Sequence, residues 1–145
     1  MDRDTALRYL VSGLLVAGAV AIALYWVLYF FVGGTQVVNE VWYTRFENAF
    51  PVADAWTAVL GLVAAYFLLR RNDRMAPFFL AAAGASGVYL AFMDITFNLE
   101  NNLYALVATN GNMQTELAIN VAVVVISLVG LAYGLMLLRK PPSGG

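Results

Sequence analysis

Four predominantly apolar stretches of this chain run for fifteen or more residues without a charged side chain: 9–39, 55–69, 75–93 and 117–138. A hydrocarbon bilayer offers backbone amides no water, so only helices and closed barrels cross it. One helical crossing needs about 20 apolar residues. The runs predict an all-α, four-helix transmembrane bundle. The predicted spans lie at about 7–32, 52–69, 76–97 and 117–138. Composition agrees: 62% of the 145 residues are hydrophobic and 12% charged, where soluble domains carry about a quarter charged residues. What remains outside the spans is too short for a separate soluble domain, so 1–145 reads as a single integral membrane domain.

The chain contains neither cysteine nor histidine. Disulfides, Fe–S clusters and thiol chemistry are therefore absent, as are histidine-ligated haem and the histidine-based catalytic triads. Chemistry must come from carboxylates, amides, hydroxyls, tyrosines and arginines. No basic patch suggests nucleic acid as a partner; the bilayer itself is the first partner expected.

Sequence signals delimit the spans. Pro51 and Pro77 suit the first turn of a helix, where a missing N–H costs nothing. Arg70-Arg71-Asn72-Asp73-Arg74 stops span two and Arg139-Lys140-Pro141-Pro142 stops span four. Span one is too long for a signal peptide, which predicts that the N-terminus is retained. Seven of the eight basic residues fall at the two termini and between spans two and three, leaving Arg45 alone on the other side. The positive-inside rule then places both termini in the cytoplasm of a multi-pass plasma-membrane protein. Glu40, Glu47, Asp54, Asp94, Glu100 and Glu116 gather at the outer face, which carries five net negative charges after Arg45 is counted.

Ala81-Ala82-Ala83-Gly84-Ala85-Ser86-Gly87 in span three and the pair Gly130 and Gly134 in span four predict close helix packing. Packing within the chain is the first reading and homo-oligomerisation the second. The segment 36–50 reads as an outer amphipathic helix, with Val37, Val38, Val41, Trp42, Phe46, Ala49 and Phe50 opposite Gln36, Asn39, Glu40, Tyr43 and Glu47. It either lies in the interface with Trp42 as anchor or closes the bundle as a lid. The segment 98–115 is a structured, amide-rich outer loop, whose apolar island Leu103–Ala108 is ambiguous between helix and strand.

Ionisable groups in spans are functional candidates once local uses are weighed. Asp54 and Glu116 sit near helix N-termini, where the dipole favours an anion, with Asn112 the expected cap for Glu116. Asp94 lies near the carboxyl end of span three, where the dipole opposes it. It needs a partner. Asn98 and Asn101 follow it along one face, and Asn120 follows Glu116. Three schemes satisfy Asp94. Arg45 pairs with it or with Glu47; Asp94, Asp54 and Glu116 ligate Ca²⁺ or another hard cation; or two carboxylates share a proton.

The fragments Phe46-Glu47-Asn48-Ala49-Phe50-Pro51-Val52-Ala53-Asp54-Ala55-Trp56 and Met93-Asp94-Ile95-Thr96-Phe97-Asn98-Leu99-Glu100-Asn101-Asn102-Leu103-Tyr104 resemble small four-span prokaryotic integral membrane proteins of uncharacterised function. The resemblance covers the middle of the chain and carries over no activity. The leading expectation is an outward-facing acidic and amide pocket, built from Asp94, Asn98, Asp54, Glu47, Glu116, Asn120, Arg45 and Asn101. It binds or carries a cation or a small polar, amphiphilic or lipid-like ligand. One alternative is a membrane-embedded enzyme using Asp94 with Glu47 or Asp54 as acid and base. Another is an accessory subunit of a membrane complex.

Overall fold

The computed structural model describes residues 2–139 and is helical throughout, with no strand among those residues. Helix α1 spans Arg3–Val27 and continues through a π-helical turn, Leu28–Val32. A short α2 covers Val41–Glu47, α3 Pro51–Leu69, α4 Ala76–Glu100 and α5 Gly111–Leu138, with a 3-10 turn at Leu103–Leu106 before α5. Helices of this length and composition at four places are able to cross a membrane. Exposed side chains such as Leu24, Val59, Phe92 and Leu128 make the outer surface apolar, the inverse of a soluble bundle.

Local chemistry explains the boundaries. Asp2 caps α1 by accepting from the Thr5 amide at 2.7 Å. Gly33 and Gly34 then adopt φ of 76° and 77°, a region most side chains avoid, and turn the chain away from the end of the first span. Pro51 and Pro77 stand in the first turns of α3 and α4, as expected. The last two spans are longer than the hydropathy pattern indicated: α4 runs three residues past 97 and α5 begins six residues before 117. In these extensions Asn98 reaches Glu116 on α5 and Asn112 reaches the 33–40 segment, so the helices continue through sequence that reads as loop. Asn110, not Asn112, caps α5 by accepting from the amides of Asn112 and Met113. Asn112 instead donates to the carbonyls of Gly34 and Gln36, both at 2.8 Å. With Asn110 donating to Val37 O at 2.9 Å, two amides fasten the 33–40 segment to the start of α5. Lys140-Pro141-Pro142 lies outside the described residues.

Helix α1 packs on α3, α3 on α4 and α4 on α5, whereas α1 and α5 touch only lightly. The α4–α5 seam is the tightest. Gly84 backs onto Leu131 and the Ser127 carbonyl, Gly87 onto the Ser127 hydroxyl, and Gly134 onto Leu80 and Pro77. Gly130 likewise faces Leu80. One buried cluster, including Val11, Leu15, Ala64, Leu68, Leu80 and Tyr133, fills the half of the bundle near the chain's N-terminus. A second, Val37, Tyr43, Leu103 and Met113, closes the opposite end.

Arg8 was expected only as an orientation signal. Its side chain is buried, pairing through Nε with Asp4 at 3.0 Å and through NH1 with Asp73 at 2.7 Å. It thereby ties α1 to the α3–α4 turn. Both carboxylates retain water, so the pair contributes less than a fully buried one. Arg8→Met is expected to lower the unfolding free energy by about 2 kcal/mol, measured by denaturant titration in micelles. A Lys at this position reaches one carboxylate instead of two and is expected to recover part of that loss.

Candidate functional site

At the end of the bundle opposite Arg8, four elements deliver acids to one place. Glu47 closes α2, Asp54 opens α3, Asp94 stands in the last two turns of α4, and Glu116 in the second turn of α5. One carboxylate oxygen each from Glu47, Asp94 and Glu116 lie within 4.8 Å of one another. This separation permits a common guest, because two oxygens sharing one Ca²⁺ at its usual distance are at most about 5 Å apart. The sequence reading placed Asp54 in that set and left Glu47 out of it. Glu47 joins the trio instead, while Asp54 lines the same cavity outside it and accepts from Trp26 Nε1 at 2.9 Å.

Each acid of the trio has neutral donors. Tyr25 donates its hydroxyl to Glu47 at 3.1 Å. Tyr43 donates to Glu116 at 2.8 Å, and the Asn98 amide reaches the other Glu116 oxygen at 2.5 Å. Asn120 donates to Asp94 at 2.7 Å. Among the described residues, none with a positive charge pairs with the cluster. Both ion pairs among the described residues belong to Arg8 at the far end, and Arg45 is exposed, with no carboxylate within 4.0 Å. The Arg45 pairing scheme is not what the fold adopts. Arg45 lies on the outer side of α2, while Glu47 points inward.

The other expected members divide the same way. Asn98 is fully buried against Glu116 and Asn120 is buried against Asp94. Asn101 is exposed and donates back to the Phe97 carbonyl at 2.9 Å, because α4 ends there and Asn102, at φ 55°, turns the chain into the 3-10 segment. The polar stripe on α4 therefore stops at Asn98. The Oδ1 of Asn98 is buried with no hydrogen-bond donor, as is the Tyr104 hydroxyl, and burial pushes the Tyr104 pKa up.

The two sides expected of the amphipathic segment are mixed in the structure. Only Val41–Glu47 is helical, and its polar side is the buried one: Tyr43 is 0% and Glu47 6% exposed, whereas Val41 and Trp42 are 67% and 44% exposed. Tyr43 and Glu47 find hydrogen-bond partners inside, and Val37 and Phe50 are buried beside them, while Asn39 and Glu40 are exposed. Phe46 stacks on Phe97 with centroids 3.5 Å apart, seating α2 on α4. Tyr25, Trp26 and Tyr43 are donors to the acids. The signal available in the sequence was the four-residue spacing of Tyr43 and Glu47 on one polar stripe.

Below the acids the space between the helices is not filled. A cavity of about 250 Å³ runs from Glu47, Asp94 and Glu116 down to Leu15, Leu80 and Gly130, lined by all four long helices. Its lower wall is apolar and small, with Ala19, Gly61, Ala83, Gly84 and Gly87 among the lining residues. The chain matches no protein-family model, no curated protein and no solved structure.

Proposed function

We propose that this chain is a small-ligand binding protein of the membrane. Its site takes a compact amphiphile whose positively charged head rests on Glu47, Asp94 and Glu116 and whose apolar part occupies the cavity between the helices. The observation that carries this reading is the trio of carboxylates without a cation at the end of an apolar cavity. Three buried acids without a counter-charge either repel or hold protons, and a cationic guest compensates the charge they carry when those protons leave. A volume of about 250 Å³ lies just under the range of drug-sized pockets, about 300–1,000 Å³, so the enclosed part of the ligand is small. With both termini cytoplasmic by the positive-inside rule, the acids belong to the outer half of the plasma membrane.

The test is thermal unfolding of the purified protein in neutral detergent, titrated separately with octylamine, octanol, Ca²⁺ and Mg²⁺ at fixed ionic strength. A ligand that binds only the folded protein raises the midpoint, by an amount equivalent to about 2.7 kcal/mol at a hundredfold excess over Kd. The expected result is a saturable rise with octylamine, none with octanol, and loss of the rise in Asp94→Asn. A response to Ca²⁺ alone would replace the amphiphile by a metal ion, and no response to any additive would overturn the binding reading.

A further inference from the structure

The cavity has one side on which it is not walled off. Of its lining residues, those that are also exposed on the outside of the protein are Ala21 on α1 and Ile119 and Ala122 on α5. All three flank the same seam. It is also the seam where the helices touch lightly, while α1–α3, α3–α4 and α4–α5 pack along their lengths. The physical reason lies in the side chains. Gly18 on α1 only grazes Ile126 on α5, since a Cβ built at Gly18 stands 4.0 Å from Ile126 Cδ1. One turn toward the acids, α1 and α5 present Ala21 and Ala122, whose methyl groups do not span the gap. Elsewhere around the cavity the lining side chains are buried or half-buried.

The depth of this opening matters. Ala21 lies in the interior of the longest uncharged run of the chain, and Ala122 in the interior of the last. The exposed residues around the seam, including Val20, Leu24, Val121 and Val125, are apolar. What lies outside the opening is therefore hydrocarbon, and a water-soluble ion has no route through it.

We infer that the gap between α1 and α5, bordered by Ala21, Ile119 and Ala122, is a lateral portal through which a membrane-partitioned amphiphilic amine passes from the bilayer to the acids. This inference rests on the proposed function and adds the ligand's source and path. Its charged head travels the shorter distance, from the outer interface to the acids, while its tail slides between the helices and follows through the gap into the cavity. Charge complementarity commits the site to a cationic head, and the apolar surroundings of the gap commit it to a tail.

The absence of native cysteine makes the portal directly testable. Ala122→Cys is placed in a Trp42→Phe/Trp56→Phe background, so that Trp26, which lines the cavity, is the sole tryptophan reporting arrival of dodecylamine in phosphatidylcholine vesicles. The thiol is capped reversibly with either a methyl or a benzyl methanethiosulfonate. Ala81→Cys, exposed on α4 and away from the cavity, serves as the control. The benzyl adduct at 122 is expected to slow association and dissociation alike by tenfold or more. The methyl adduct and both adducts at 81 are expected to leave the rates alone, and a reductant to restore them.

Unchanged rates with the benzyl adduct would overturn the portal. Lost affinity with unchanged dissociation would also overturn it, making Ala122 part of the binding surface. Predominant disulfide-linked dimers of Ala122→Cys under oxidation would show the seam covered by a second copy, with the same consequence. If the uncapped protein responds to dodecylamine and Asp94→Asn responds equally, the acidic site fails independently of the path.

Discussion

Gly84→Val is expected to prevent stable packing of α4 against α5, with an unfolding midpoint too low to measure or a protein that does not accumulate. A Cβ at this position would stand 2.6 Å from Leu131 Cγ and 2.9 Å from the Ser127 carbonyl oxygen. The leucine can rotate away, but the carbonyl belongs to the backbone of α5, so accommodation means moving a helix. Overpacking a tight core costs about 1–3 kcal/mol per added group, and β-branching adds two methyl groups to the Cβ. Gly84→Ala is the graded version, expected to lose about 1–3 kcal/mol. The control is Gly13→Ala, where nothing lies within 4 Å and no loss is expected. Denaturation in mixed micelles, followed by circular dichroism, compares the three. Equal behaviour of Gly84→Ala and Gly13→Ala would show that the α4–α5 seam is looser than described.

Glu47→Gln is expected to do two opposite things: stabilise the ligand-free protein and abolish its response to an amine. Glu47 is among the most buried acids of the chain and accepts a hydrogen bond from Tyr25, which a glutamine oxygen accepts equally well. Replacement therefore removes charge while keeping shape and bonding. Even at 4.8 Å, the greatest separation in the cluster, two ionised carboxylates repel by about 3 kcal/mol with an effective dielectric near 20; protons held within the cluster relieve part of this, and a gain of about 1–2 kcal/mol is expected. Functional sites commonly hold such destabilising arrangements, and their removal trades activity for stability. Thermal unfolding with and without octylamine reads both effects in one experiment. A destabilised Glu47→Gln would mean that the trio is held by compensating positive charge after all. Glu116→Gln is a poorer probe, because Glu116 accepts from both Tyr43 and Asn98 and a glutamine NH₂ must face one of these donors.

The candidate site was partly legible in the sequence because its signal is local. Asp94 stood out at a helix end where the dipole disfavours it, and Asn98 and Asn120 follow their acids by one turn. Those pairings are matters of helical spacing, and the structure brings all three residues to the site. The choice of Glu47 over Asp54 as third carboxylate was not legible. It depends on which way a short helix rolls when one side faces lipid and the other faces acids and tyrosines. The same holds for Arg45 and Arg8. Both were read by position along the chain, yet one remains outside every ion pair while the other is buried between Asp4 and Asp73, contacts that join residues up to 65 positions apart.

What the sequence determined by itself is the class of fold, since uncharged runs of bilayer length leave a backbone little choice but helix. The small-residue positions at 84, 87, 130 and 134 followed from the same logic, because close helix packing requires them wherever the partner lies. The tertiary structure alone decided the order α1–α3–α4–α5 around the bundle, the light contact between its first and last members, and the cavity that opens there. Those features arise from which faces meet. Helix faces in lipid are selected by packing and hydrogen bonding between distant residues, and hydropathy, being nearly uniform along these spans, does not distinguish them.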